Sequence, residues 1–239
     1  MWSREVDGRT LHFRLIGINN QNFLMSDEET GSWWQQITGE CILGPLKGKR
    51  LNRIYSEEVT VATWREEHPG STIVKFSDKY KDRYFPSDWE KTTDKVPTVT
   101  PRDPDSKLDP RDLVVGVELK DRSYAYPLRL LREQSPVQHQ IGGEPVLVVL
   151  NSDGKSVRTF VRRLDGEAVE FYRKPGDDGR LLLIDATSGS TWDFSGAAIE
   201  GPLTGRKLEP IQNITEYWFD WKKYHPDTGT YLAGESLRR

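Results

Sequence analysis

Two stretches of this chain are divergent copies of each other, so the chain is expected to fold as two versions of one unit. Shifted by 157 positions, residues 39–69 lie over 196–226 with eleven of 31 positions identical. Gly39, Ile42, Gly44, Pro45, Leu46, Gly48, Leu51, Ile54, Trp64, His68 and Pro69 meet Gly196, Ile199, Gly201, Pro202, Leu203, Gly205, Leu208, Ile211, Trp221, His225 and Pro226. Most of these are residue types that fix turns or anchor cores. Upstream, across a one-residue gap, Asp27, Gly31, Ser32 and Trp34 meet Asp185, Gly189, Ser190 and Trp192. Further back, Asp7-Gly8 and Phe13 fall on Asp165-Gly166 and Phe171.

One copy reads as follows. Asp-Gly closes a hairpin, because the pair tolerates the positive φ of a tight turn. A strand ends near Asp27 or Asp185, and a turn through Thr30-Gly31 or Ser188-Gly189 leads to an aromatic residue. Gly44-Pro45-Leu46-Lys47-Gly48 is a constrained turn, with Leu51 and Ile54 following as core contacts. A short helix over Trp64–His68, capped by Thr60 or Thr63, ends at Pro69; Thr215 takes the same place before Trp218, Trp221 and His225-Pro226. Trp218 and Trp221, three apart, share a helix face. Final strands are expected at Ser71–Phe76 and Thr228–Leu232.

Between the copies, residues 86–110 hold five prolines among charges and threonines and read as a linker or surface crossing. Strands follow at Leu113–Leu119, Arg122–Tyr126, Val146–Leu150 and Val157–Val161, with a short helix at Leu128–Glu133. The expected class is α+β, predominantly antiparallel β with short helices, in two pseudo-symmetric repeat modules. These span 1–95 and 111–239, with 96–110 as the linker.

Composition removes several functions. Hydrophobic residues are 35% and charged ones 30% of 239, a globular balance. The net charge of -3, with bases and acids interleaved, gives no reason to expect nucleic acid. No apolar run approaches the roughly 18 residues of a membrane span, so a transmembrane segment is not expected. No leader is visible, and the location is cytoplasmic if the chain is complete. The lone Cys41 can form neither an intrachain disulfide nor a multi-cysteine zinc site, and reads as a buried thiol. There is no phosphate loop, dinucleotide fingerprint, His-Glu-x-x-His or nucleophile elbow. No cofactor is indicated, and a metal is left open.

The candidate residues are few. Asp27 and Asp185, each at a strand end, are turn caps or, as a pair across the modules, weak catalytic acids. His68 and His225, each before a proline at a helix end, are caps or weak metal ligands. Trp33, Trp34 and Trp192 are binding candidates among tryptophans that are mostly core. Trp33, facing Thr191 in the other copy, is the one least demanded by the shared core.

At this point the residues resemble a family. Thr30-Gly31-Ser32-Trp33-Trp34-Gln35-Gln36, Gly39-Glu40, Gly44-Pro45-Leu46-Lys47-Gly48, Trp64 and His68-Pro69 are similar to the bacterial and archaeal domain of unknown function 3179 (DUF3179). Val115-Gly116-Val117, Ala125-Tyr126-Pro127 and Gly142-Gly143-Glu144-Pro145-Val146 resemble its N-terminal segment, and the second copy its C-terminal one. The resemblance implies an architecture but no activity. Many members look exported or membrane-tethered, which leaves a periplasmic or extracellular location open. Where the family has Cys-Pro-x-Cys this chain has Asn151-Ser152-Asp153-Gly154. Where the family has Asn-Asp it has Gln138-His139, which makes His139 a weak binding candidate.

Two functions compete. One is a non-catalytic or degenerate module that binds a small-molecule or protein partner between its repeats. The alternative is a hydrolytic or metal-assisted enzyme built on the paired aspartates and a histidine. Whether the protein is an enzyme stays open at this stage.

Overall fold

The computed structural model describes residues 1–19, 22–86, 88, 96–98, 106–174 and 179–232. A hairpin of β1 (Glu5–Val6) and β2 (Arg9–Thr10) opens the chain, turning through Asp7 and Gly8 at φ 49° and 74°. A four-stranded antiparallel sheet follows in the order β3 (Phe13–Asn19), β4 (Asn22–Asp27), β5 (Trp33–Gln35), β6 (Cys41–Leu43). Trp34 lies opposite Met25 on one side and Cys41 on the other, and is buried with Val6, Leu11, Cys41 and Leu51. Then comes α1 (Val61–Glu67), whose Thr63 amide donates to the Thr60 hydroxyl at 3.2 Å.

The second half starts with β7 (Leu113–Leu119) and β8 (Arg122–Pro127), then α2 (Leu128–Gln134), β9 (Val137–Ile141), β10 (Glu144–Leu150) and β11 (Val157–Val161). A hairpin of β12 (Arg163–Leu164) and β13 (Glu167–Ala168) turns through Asp165 and Gly166, both at positive φ. Another four-stranded antiparallel sheet has the order β14 (Phe171–Arg173), β15 (Leu182–Asp185), β16 (Thr191–Asp193), β17 (Ala198–Glu200). β18 (Glu209–Ile211) returns to pair with β11, and β19 (Asn213–Tyr217) pairs with β7. Last come α3 (Trp218–Tyr224) and β20 (Gly229–Thr230).

The fold is β-rich and mostly antiparallel, with few short helices, in keeping with the sequence expectation. β10 is buried along almost its whole length because cores lie on both of its faces. Val146, Val148 and Leu150 join the cluster under β7, β8 and α2, whereas Leu147 and Val149 join Phe171 and Trp192. That double burial makes its sequence an unbroken apolar run rather than an alternating one.

Several local readings are corrected. Ser71–Phe76 forms no strand: it pairs with no strand among the described residues, and its Ile73, Val74 and Phe76 are exposed. Ile54 is exposed, while Leu51 is buried. Thr215 lies within β19, and α3 begins at Trp218, after Tyr217, whose side chain makes no cap bond. β20 is two residues long and runs parallel to β8. Residues 99–105 of the expected linker lie outside the described residues.

Trp218 and Trp221 do share a face, packed over Val114 and Ala125 of the β7–β8 sheet. The fit requires glycine at 116, where a Cβ would stand 2.3 Å from the Trp221 ring. Gly116→Ala is therefore expected to destabilise the protein by about 1–3 kcal/mol, the usual cost of overpacking. A urea midpoint lowered at unchanged slope is the expected readout.

Candidate functional site

The two aspartates first proposed as a catalytic pair do not meet. Asp27 accepts bonds from the Thr30 amide (2.6 Å), the Thr30 hydroxyl (2.8 Å) and the Trp34 indole N–H (2.8 Å). Asp185 accepts from the Ser188 amide (2.5 Å), the Ser188 hydroxyl (2.7 Å), the Ser190 amide (3.1 Å) and the Trp192 indole (2.9 Å). Burial pushes the Asp185 carboxyl up, but the bonds from Trp192, Ser188 and Ser190 outweigh it and hold the group below its usual range. Each carboxylate is bonded within its own loop, which is the turn-cap role.

Trp34 and Trp192, two of the binding candidates, are fully buried with their indole N–H groups bonded to those aspartates. Trp33 is 41% exposed, set between Ser26 and Leu43 on the outer side of β5. His139 sits in an aromatic group with Tyr124, Tyr126 and Tyr231, its Nδ1 3.0 Å from the Tyr126 hydroxyl. Cys41 is buried, and burial pushes its thiol up, away from the reactive thiolate form.

The two histidines end their helices. The His68 amide caps α1 on the Trp64 carbonyl, with its ring 4.1 Å from the Trp64 ring. The His225 amide caps α3 on Trp221, and its ring stacks on Trp221 at 3.6 Å. His225 Nδ1 also bonds the Trp221 carbonyl at 3.0 Å, while Nε2 bonds Glu118. With both ring nitrogens facing oxygen acceptors, neither is open to a metal. Among the described residues, no three His, Cys, Asp or Glu side chains gather as a metal-binding group.

What the fold does bring together is a cleft of about 670 Å³ with a wall from each half of the chain. Trp2, Thr38, Arg50 and Arg53 stand on one side; Glu118, the β7–β8 turn, Tyr224 and His225 stand on the other. The turn places Lys120 and Asp121 at φ 50° and 60°, a tight hairpin that sets Glu118 opposite Ser123. Glu118 then spans the cleft, pairing with His225 on its own half and with Arg53 Nη1 (3.0 Å) on the other. His225 and Arg53 hold its carboxyl below the usual range against the effect of burial.

Behind this bridge lies an acidic junction. Asp220 accepts from Asn22 Nδ2 at 2.6 Å, and Glu58 accepts from the Thr215 amide at 3.0 Å. Glu216 Oε2 is buried with no hydrogen-bond partner among the described residues. Burial, with Asp220, Glu58 and Glu118 nearby and only Arg53 opposing them, pushes the Glu216 carboxyl up to about 8. Sequence reading missed Arg53, Glu118, Glu216 and Asp220. The polar run of β19 shows nothing of which face is covered, and Glu118 and His225 are 107 residues apart.

The described residues define a β-rich, largely antiparallel protein with a charged cleft between its halves. The chain belongs to the family described as protein of unknown function (DUF3179), whose model matches residues 1–228. Neither the curated proteins nor the solved structures gave a match. No helix among the described residues is long and apolar enough to cross a membrane.

The raised Glu216 carboxyl gives a pH dependence of definite sign. The unfolded chain loses this proton near pH 4.5 and the folded chain near 8, so its contribution is complete below pH 4.5. Stability should fall across that window by up to about 1.4 kcal/mol per pH unit. Chemical denaturation from pH 5 to 8 is expected to show this slope in the wild type and a flatter profile in Glu216→Gln.

Proposed function

We propose that this chain is a non-catalytic binding protein of two pseudo-symmetric modules, residues 1–95 and 111–239, with 96–110 crossing between them. A small-molecule ligand occupies the cleft between the modules. The observation that carries this reading is the cleft itself, whose walls come one from each half and are bridged at Arg53–Glu118–His225.

The modular part is supported bond by bond. Trp34 donates to Asp27 as Trp192 does to Asp185. The Leu46 and Leu203 amides donate to the Ser32 and Ser190 hydroxyls at 3.1 and 3.0 Å. Phe13 stands edge-on to Trp34 at 5.8 Å, and Phe171 to Trp192 at 5.7 Å. α1 and α3 both end in a histidine at nearly the same backbone angles. The non-catalytic part is supported by the engagement of four reactive groups: Asp27 and Asp185 in turns, both nitrogens of His225 in bonds, Cys41 in a core. The overall charge and its mixed distribution favour a small molecule over nucleic acid.

A thermal-shift screen of small molecules tests the reading, with Ser123→Trp as the blocking variant because Ser123 lines the cleft and a large ring there fills it. Ligands that stabilise the wild type are expected to lose roughly tenfold or more in affinity in the variant. Equal binding to both proteins would place the ligand elsewhere. Chemical conversion of a bound ligand, followed by mass spectrometry, would overturn the non-catalytic assignment.

A further inference from the structure

The charges around the cleft are unequally committed. Four cations line it, Arg50, Arg53, Lys120 and Arg122, against two carboxylates, Glu118 and Asp121. This local excess of positive charge sits in a chain whose net charge is -3. Arg53 is held by Glu118 at 3.0 Å, and Lys120 by Glu144 at 2.5 Å. Neither Arg50 nor Arg122 forms a direct ion pair among the described residues, though Arg50 lies near enough to Glu118 to help hold that carboxyl below its usual range. They rise from opposite walls: Arg50 from the segment whose backbone bridges Glu40, Arg122 from β8, opposite Leu119.

Two guanidinium groups lining one cleft without a direct ion pair suit an oxyanion. Each presents a planar fork of N–H donors that matches phosphoryl or carboxylate oxygens, and each is only weakly hydrated for a cation. Apolar groups also line the cleft. Trp2 lies against the backbone at Gly39, where a Cβ would stand 2.8 Å from its ring, and Ile37 and Leu51 are buried beside it. Thr38, Asn52 and Ser123 add neutral polar groups.

We infer that the cleft takes a small organic anion, its phosphoryl or carboxylate head held between Arg50 and Arg122 and its apolar body laid along Trp2 and Ile37. This rests on the proposed binding cleft and names the chemical class of its occupant. Glu118 has a definite part in it. By occupying Arg53 and His225 it leaves the anion to Arg50 and Arg122. Asp121, at the tip of the turn, repels a second negative charge at that end and so favours one head group over a polyanion.

Calorimetric titration of the full chain with inorganic phosphate, phenyl phosphate, benzoate and neutral benzamide tests the inference. Phenyl phosphate or benzoate should bind more tightly than inorganic phosphate, and benzamide should bind least. Arg50→Ala and Arg122→Ala should each weaken the anions roughly tenfold, the effect of losing one charge-assisted bond. Lys155→Ala, a cation removed from another loop, should leave binding unchanged. Affinity should also fall as salt rises.

Anion binding that both arginine variants retain would overturn the inference. If benzamide binds, is blocked by Ser123→Trp and exceeds the anions, the inference falls while the binding cleft stands. If anions bind through the arginines but Ser123→Trp has no effect, the head-group assignment stands and the cleft reading falls. If no probe binds the wild type at millimolar concentration, the anion assignment fails; the cleft reading then stands or falls with the wider screen.

Discussion

A tryptophan indole donating to a buried aspartate is the bond on which each of the two terminal sheets depends. A carboxylate removed from water is costly unless its oxygens are filled. Here the filling groups are the indole and the amides and hydroxyl of the loop that follows the aspartate. The indole in turn needs a partner because its ring is wholly inside. The next links follow from these. Ser32 and Ser190 stand where the loop returns, and each hydroxyl receives the amide of Leu46 or Leu203. Gly44 and Gly201 come so close that a Cβ would lie 2.7 or 2.8 Å from the serine Cα. Thus one aspartate orders a tryptophan, a serine and a glycine turn that lie up to some twenty residues away in sequence.

That chain of dependence explains what the sequence made legible. Aspartate, glycine, serine and tryptophan are each irreplaceable for a local reason, so they stand out when the chain is laid over itself. The Asp-Gly hairpins, the Gly-Pro-Leu turns and the histidine-capped helices are short-range objects of the same kind. Ser71–Phe76 was misread because a short run with β-branched and apolar residues carries no information about whether a partner strand exists. Thr215 was misread because a threonine before two tryptophans suits a cap, while pairing with β7 extends the strand past it. The cleft was out of reach altogether. Arg53 and Glu118 are 65 residues apart, and nothing local distinguishes them from other solvated charges.

The two halves are tied by more than the cleft. Arg158 of β11, with only 4% of its side chain exposed, is clamped by Glu57 and by Glu67 of α1 and lies over Phe194. Burial works against its charge, but the two glutamates more than offset that. Beside it, the Asn151–Gly154 loop reaches the same helix. Asn151 donates to Thr63 at 3.0 Å, and Asp153 accepts from Thr60 at 2.8 Å and from Thr63 at 3.0 Å. Burial raises the Asp153 carboxyl, yet the bonds from Ser156, Lys155 and Thr60 bring it far below its usual range. At this loop, where the resemblance leads one to expect cysteines, the chain instead has a polar clasp. The clasp anchors α1 on one side of the molecule, while Arg53 and Glu118 close the other.

β10 carries a further consequence. Its odd and even residues belong to different cores, so a slip of one position would put every side chain in the wrong cluster. The strand is therefore pinned from both faces, and neither cluster can mature while the other is absent. Its contacts reach from β7 to the β18 return, across most of the second half. Ordering it means closing long loops before much of the reward arrives, which slows the search for the native state. A second half built around one doubly packed strand is expected to lose both of its core clusters together when that strand lets go.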